Sequence, residues 1–346
     1  MDRKGASTKG ARVYIPVLSA VLLFVFLLSF SIGRYGVPIW QVVKILIDAI
    51  IPDFIGKLTQ TWTSEMAIVV INIRLPRVLM ACLVGCCLSA AGAAYQGIFK
   101  NPMASPDILG ASSGAAFGAA LAILLGASSQ GITFLAFCFS LVTVLLVLLI
   151  AKRAPGMRTV NLILAGIMIS SLFSAGTSCI KLVADPTNQL PAITFWLMGS
   201  LSGVKLSDLF TAFLPMAIGL MPLLLLSWQI NLLTLGDDEA RALGVNINLV
   251  RLIVILSATL ITASSISTAG MIGWVGLVIP HLCRKLVGGN YRVLMPSSMI
   301  AGAAFLLVTD NISRCLLTSE IPIGILTAFI GAPFFIYLIT RKEKAL

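Results

Sequence analysis

Residues 13–32, VYIPVLSAVLLFVFLLSFSI, decide the fold class because they form a long run without a charged side chain. A helix needs about 20 apolar residues to cross the hydrocarbon core of a bilayer. The run is too long for the core of a signal peptide, and no small-residue cleavage site follows Ser31 before Arg34. It therefore predicts a transmembrane helix that remains in the protein.

The rest of the chain has the composition of a multi-pass membrane protein. Of its 346 residues, 58% are hydrophobic and 11% are charged, whereas soluble domains carry about 25% charged residues. The pattern predicts an all-α fold with about ten transmembrane helices, organised as a single domain over residues 1–346. The predicted spans are roughly 13–32, 66–97, 107–126, 132–151, 160–183, 206–229, 247–267, 272–288, 294–312 and 322–340. A surface helix is predicted near residues 39–51, in the external segment.

Positive charges predict the orientation of the chain. Lys and Arg accumulate on the cytoplasmic side of membrane proteins, and both ends of this chain are basic. Both termini are therefore predicted to be cytoplasmic, which requires an even number of spans. The net charge of +11 thus serves topology and does not indicate nucleic-acid binding. The predicted cytoplasmic cations are Arg3, Lys4, Lys9, Arg12, Lys100, Lys152, Arg153, Arg158, Arg241, Arg251, Arg284, Lys285, Arg292, Arg341, Lys342 and Lys344.

No motif in the chain predicts catalysis. The stretch Gly110-Ala-Ser112-Ser-Gly114 matches the hydrolase pattern G-x-S-x-G, but it opens an apolar span instead of following a strand. The only histidine, His281, is predicted near the cytoplasmic side, so we interpret the glycines as helix-packing residues. Gly270-Met-Ile-Gly273-Trp-Val-Gly276 lacks the strand and the acid of a dinucleotide site, and it predicts a break between two membrane helices.

Resident cofactors are not predicted either. The chain has no P-loop, so ATP and magnesium would have to be bound by a partner. The seven cysteines lie mostly in apolar runs without accompanying histidines or carboxylates, and we interpret them as packing residues. The sequence therefore predicts no metal site in this chain.

Residues 235–244, LGDDEARALG, form an acidic segment between two apolar stretches. Asp237, Asp238 and Glu239 stand where a helix N-terminus favours negative charge, and Gly244 is a plausible stop. Ala240 and Leu243 are three residues apart, so they would share one small apolar face. A helix of about two turns is too short to be stable alone in water, so another surface must hold it.

Three arginines stand at the predicted outer edge of the spans, where the topology rule does not favour cations. Arg74-Leu-Pro-Arg77 places two guanidinium groups on one helix face, and Arg314 follows Asp310 by four residues. Snorkelling at the interface is one explanation for the first two. Docking of carboxylates from a soluble partner is the other, because arginine binds them bidentately. For Arg314, an intrahelical pair with Asp310 competes with docking.

Six stretches, taken in order, resemble one family of permeases. They are Arg74-Leu-Pro-Arg77; Gln96 with Asn101-Pro-Met-Ala-Ser-Pro106 and Leu109-Gly110; Trp196-Leu-Met-Gly-Ser200; Leu235-Gly to Leu243-Gly244; Gly273-Trp-Val-Gly-Leu-Val-Ile-Pro-His281 with Arg284; and Glu320-Ile-Pro-Ile-Gly324 with Gly331-Ala-Pro333. The chain resembles the FecCD family, the permeases of ABC importers for iron chelates, haem and cobalamin. Each stretch is weak alone, but the ordered set is specific.

The resemblance implies ten transmembrane helices per subunit and a set of partners. These are a second permease subunit, either a copy or a paralogue, two cytoplasmic ABC ATPases, and an extracytoplasmic substrate-binding protein. It also implies a multi-pass location in the cytoplasmic (inner) membrane of a prokaryote. The segment at about 234–246 would couple to the ATPase, with Gly236, Asp237, Asp238, Glu239, Arg241, Leu243 and Gly244 as its residues.

The resemblance assigns two further sites. Arg74, Arg77 and Arg314 match the outer arginines that pair with acidic residues of the binding protein. The start of the fifth span, Thr159-Val160-Asn161, matches the inner gate, where small or uncharged groups can close without trapping a charge. The expected cargo is a ferric siderophore, with haem or cobalamin as the alternative.

A secondary transporter is the alternative from another class. Such a protein needs ionisable residues at mid-membrane depth, and the candidates Asp107, His281 and Asp310 are predicted near the ends of spans. The sequence therefore favours an ATP-driven importer.

Overall fold

The computed structural model describes residues 3–51, 59–155 and 158–340, which are helical with connecting turns and contain no β-strand. The helices are α1 Arg3–Ser31, α2 Ile39–Ile50, α3 Ser64–Ile68, α4 Leu75–Ile98, α5 Ala111–Leu124, α6 Ser129–Arg153, α7 Arg158–Val183, α8 Gln189–Met198, α9 Leu206–Leu225, α10 Ser227–Leu235, α11 Asp237–Ala242, α12 Ile247–Ala269, α13 Val275–Val287, α14 Tyr291–Cys315 and α15 Ile323–Thr340. A π-helical turn, Val69–Arg74, joins α3 to α4 without interrupting the helix axis.

The predicted multi-pass helical architecture is confirmed. Within the described residues, seven helical segments are long and apolar enough to cross a membrane. Shorter helices, α5, α13 and α15, account for the other three predicted spans. The count of ten crossings and the cytoplasmic position of both termini stay predictions, and the C-terminal cations Arg341, Lys342 and Lys344 lie outside the described residues.

Helix α4 forms the centre of the bundle and packs against α12, α13 and α14. Its backbone meets its neighbours at glycines. A Cβ on Gly92 would collide with the carbonyl of Gly276 on α13, and a Cβ on Gly85 would collide with the carbonyl of Gly302 on α14. Membrane helices associate largely through van der Waals packing, so small residues at these crossings allow close backbone contact.

The predicted break between two membrane helices is confirmed. Helix α12 ends at Ala269 and α13 begins at Val275, and the backbone between them is left-handed at Gly270 and at Trp274, each with φ 69°. A positive φ is unusual for a residue with a side chain. The Trp274 ring lies against Gly331 and meets the Phe335 ring at 6.3 Å between centroids, so α15 packs beside the break.

The connection between α4 and α5 enters the bundle. The sequence predicted a span from residue 107, but α5 begins only at Ala111 and its 14 residues reach about 21 Å, less than the hydrocarbon thickness. The residues before it are non-helical, and Gly110 lies against Ser170 of α7. The prediction was wrong at this boundary because an apolar loop packed inside protein has the same composition as a helix.

The external segment between α1 and α4 contains the predicted surface helix, which is α2. Its apolar residues Val42 and Ile45 are buried, whereas Trp40 is 63% exposed. Helix α2 therefore lies on the outer surface of the bundle and covers the start of α4 through its contact with the π-helical turn.

Candidate functional site

The acidic segment folds into the short helix α11, Asp237–Ala242, whose 6 residues are close to the predicted length of about two turns. Gly244 has φ 79°. The amide of Val245 donates to the carbonyl of Ala240 at 3.0 Å, and the amide of Gly244 donates to the carbonyl of Arg241 at 2.9 Å. These two bonds form a Schellman motif, in which a left-handed glycine closes a helix end. The predicted stop at Gly244 is therefore confirmed.

Asp237 fastens α11 to the rest of the protein. Its carboxylate lies 3.3 Å from the Lys100 ammonium, which follows α4, and 3.3 Å from the guanidinium of Arg251 on α12. Partial burial raises the pKa of Asp237, but the charges of Arg251 and Lys100 outweigh this and hold the pKa below its ordinary value. This acid faces inward, and sequence reasoning missed both of its partners. Only their prediction as cytoplasmic cations pointed to them.

The other two acids of α11 face outward. The Asp238 side chain is 95% exposed and pairs weakly with Arg241 at 3.3 Å. Glu239 is also exposed, and its carboxylate folds back against Gly236, where a Cβ would collide with it. Glycine at position 236 therefore leaves room for the carboxylate beside the first turn of α11.

The predicted apolar face of α11 is wrong. Ala240 is completely buried, whereas Leu243, the residue that follows the helix, is 57% exposed. Leu235, just before the helix, is 65% exposed. An apolar and acidic surface is therefore exposed at α11, formed by Leu235, Asp238 and Leu243, and we call it the α11 surface.

Each of the three outer arginines has partners within the chain. Arg74 donates to the backbone carbonyls of Phe30, Ser31 and Tyr35, at and beyond the C-terminus of α1. Arg314 donates to the carbonyl of Ser29 at 3.4 Å. Cations near a helix C-terminus offset the negative end of the helix dipole and bond its free carbonyls. Two of the predicted docking residues therefore hold the outer end of α1.

Asp310 links the guanidinium groups of Arg77 and Arg314 inside the bundle. Its carboxylate lies 2.9 Å from Arg77 Nε and 3.1 Å from Arg314 Nε, and the side chain is completely buried. The intrahelical pair that competed with docking for Arg314 is therefore present. Docking by Arg74, Arg77 and Arg314 stays a prediction, and in this chain all three side chains are buried.

Glu320 completes the outer cluster from the loop between α14 and α15. Its carboxylate accepts from Arg77 Nη1 at 2.9 and 3.0 Å and is 29% exposed. Burial raises the pKa of Glu320, but the hydrogen bond and charge of Arg77 outweigh it and hold the pKa below its ordinary value. Sequence reasoning used Glu320 only as part of a motif, and nothing in its spacing indicated Arg77 as its partner.

The predicted inner gate occupies the first turn of α7. The Asn161 amide donates to the carbonyls of Ala154 and Pro155 at 3.1 and 3.0 Å. Val160 is 45% exposed and Thr159 is partly exposed. Of the three, Asn161 has a structural partner and Val160 presents an apolar side chain outward, while the gating role stays a prediction.

A metal site is not found among the residues that the structure describes, where no three His, Cys, Asp or Glu side chains come together. A polar network joins three helices of the bundle instead. The Arg284 guanidinium donates to Gln96 at 3.2 Å and to the Tyr291 hydroxyl at 2.9 Å, joining α13, α4 and α14. These contacts explain the polar residues Gln96 and Arg284 of two matched motifs as packing elements between helices.

Comparison with known proteins identifies relatives along nearly the whole chain. The chain is 40% identical to the molybdate import system permease protein of Haemophilus influenzae over 94% of its own length and 95% of that protein. It is 34% identical to the Fe(3+)-citrate import system permease protein of Bacillus subtilis, over 95% of this chain and 96% of the other. Both relatives are named as permeases of import systems.

A solved structure has the same fold. It is an inward-facing ABC transporter of the metal-chelate type, with TM-score 0.82, 39% identity, and coverage of 94% of this chain and 98% of the other. The model of the FecCD transport family matches residues 21–341. The match covers α2 to α15, the α11 segment and the ordered motifs, and the chain therefore belongs to the FecCD transport family of membrane permeases.

Proposed function

We propose that this chain is the permease subunit of an ABC importer that moves a ferric siderophore across the cytoplasmic membrane of a prokaryote. A second permease subunit, two cytoplasmic ATPases and an extracytoplasmic binding protein would complete the transporter. The ATPases would bind ATP and magnesium, and this chain would form the path and its gates.

The α11 surface is the observation that carries the proposal. A surface helix gains little from exposing Leu235 and Leu243, which are 65% and 57% exposed, unless a partner covers them. The helix is also fastened from behind by Asp237 to α4 and α12, two helices of the core. A push on α11 would therefore be transmitted to the bundle, as coupling to an ATPase requires.

The choice of cargo rests on what similar proteins are named for. An iron chelate is supported by the relative named for Fe(3+)-citrate and by the structural neighbour of the metal-chelate type. Haem and cobalamin remain alternatives, and the relative named for molybdate adds an oxyanion. The described part of the chain holds no cluster of metal-ligating side chains. A chelated metal needs no such cluster, because the metal would cross within its ligand.

Reconstitution tests the proposal. The chain would be assembled in proteoliposomes with the ATPase and binding protein encoded beside it, and uptake of a radiolabelled ferric hydroxamate siderophore would be followed. We expect uptake that needs internal ATP and external binding protein and survives an uncoupler. Uptake that survives ATP depletion but collapses with the proton gradient would instead indicate a secondary transporter.

A further inference from the structure

Asp107 lies deep in the bundle, contrary to its predicted position near the end of a span. It belongs to the non-helical residues that precede α5. A Cβ on Gly166 of α7 would collide with the carbonyl of Ile108, and Gly110 lies against Ser170, which is about midway along α7. The backbone around Asp107 is therefore packed beside the middle of a membrane-spanning helix.

The Asp107 carboxylate is exposed at this depth. One of its oxygens accepts the amide of Ser112 at 2.8 Å, in the first turn of α5. The side chain lines two cavities, of about 310 and 360 Å³. Hydroxyl groups of α7 line the larger one, and they belong to Ser170, Ser171 and Ser174.

A carboxylate and non-helical backbone at this depth cannot be in contact with lipid. Hydrocarbon leaves peptide groups unsatisfied, so irregular backbone inside a membrane is buried in protein or borders a water-filled cavity. Ionisable side chains within spans follow the same rule. Asp107, Ser171 and Ser174 are all exposed in the described part of this chain, so the surface that they share lies open, and contact with water would satisfy the carboxylate there.

We propose that Asp107 lines the translocation path and selects cargo by charge, in favour of neutral or positively charged complexes and against oxyanions. Charged side chains lining a pore select ions in this way. The inference rests on the proposed function, because it requires a path beside α7. The relatives are named for two kinds of cargo, and the proposal distinguishes them. The Asp107 charge would repel a molybdate ion but not a neutral ferric chelate.

Charged thiol reagents test this proposal without knowledge of the cargo. The complete transporter would be built with Ser174→Cys in a chain whose exposed cysteines are removed by Cys179→Ser and Cys315→Ser. Modification by a trimethylammonium methanethiosulfonate and by a sulfonate methanethiosulfonate would be timed in proteoliposomes with ATP, ADP or no nucleotide. The chain without Ser174→Cys gives the background rate.

We expect the cationic reagent to react faster at Ser174→Cys, and Asp107→Asn to lower the cation-to-anion rate ratio by about sixfold, as a unit charge about 8 Å away in water would produce when it attracts one reagent and repels the other. The side-chain oxygen of asparagine can still accept the amide of Ser112, so the start of α5 should be preserved. Asp107→Glu should retain the ratio. The matched control is Asp185→Asn, which removes another acid that accepts backbone amides, from Thr187 and Asn188, beyond the far end of α7.

Two results would overturn the proposal. Absence of labelling in every nucleotide state would place this surface out of contact with water. A ratio that Asp107→Asn leaves unchanged would reduce Asp107 to a helix cap. Failure of the proposed function is seen separately, as loss of ATP dependence in the siderophore uptake of the unmodified transporter, whatever the labelling shows.

Discussion

Arg77 Nε lies 2.9 Å from Asp310 Oδ1, and this ion pair joins α4 to α14 in a region where the Asp310 side chain is completely buried. The same carboxylate faces Arg314, so one acid balances two guanidinium groups, with Glu320 as the second acid. Removing one member of a buried ion pair is costly, because the charge left behind has neither water nor a partner.

Asp310→Asn should therefore destabilise the protein strongly. We expect a loss of about 3–5 kcal/mol, the usual cost of breaking a buried pair, seen as a lower thermal unfolding temperature in nanodiscs. Asp238→Asn is the matched control, because its carboxylate is 95% exposed and its pair with Arg241 is a surface contact. Equal unfolding temperatures for the two variants would show that the buried cluster is not needed for stability.

Glu320→Gln distinguishes docking from a purely structural role for Arg77. Removing the Glu320 charge frees Arg77 Nη1, so a docking role predicts tighter association with the binding protein, most visible at low salt. Titration of the binding protein in about 50 mM and 500 mM salt would measure the change. Glu65→Gln, a second exposed acid on the same side, controls for general charge. Equal affinities in the two variants would argue that Arg77 serves only the bundle.

Leu243→Asp should uncouple the ATPase without unfolding the chain. Leu243 is 57% exposed, so we expect little change in unfolding temperature but loss of ATPase co-purification and of uptake. Asp238→Lys should act in the same way, because it reverses the charge of the α11 surface. Lys205→Glu is a charge reversal on the opposite side and should leave coupling intact. Normal uptake in the Leu243 variant would refute the coupling role of α11.

Asp237→Asn should loosen α11 from the core. The carboxylate bonds Lys100 and Arg251, so its loss should accelerate amide hydrogen exchange in residues 237–245 and spare the middle of α12. The pKa of Asp237 is lowered on folding, so this anchoring is complete above the ordinary carboxylate pKa of about 4 and is lost only as the pH falls below it. Exchange in α11 that is the same at pH 7 in both proteins would contradict the anchoring.

The sequence by itself determined the fold class and the order of its elements. An uncharged run long enough to cross a bilayer as one segment can satisfy its backbone hydrogen bonds there only as a helix. Composition and length are therefore enough to predict a helical membrane protein. Local chemistry also placed the break that begins at Gly270 and the stop at Gly244, because left-handed backbone favours glycine. The family was visible as well, since its motifs are short stretches read in order.

Only the tertiary structure decided how the charged residues are used. Asp237 and Asp238 are neighbours in the chain, yet one is fastened to Arg251 and the other is open to a partner, because their side chains leave α11 in different directions. Arg77 lies 243 residues from Glu320, so no spacing rule could pair them. The sequence misplaced Asp107 for the same reason. The depth of a loop in a membrane depends on which helices surround it, and the contact of Gly166 with Ile108 joins residues far apart in the chain.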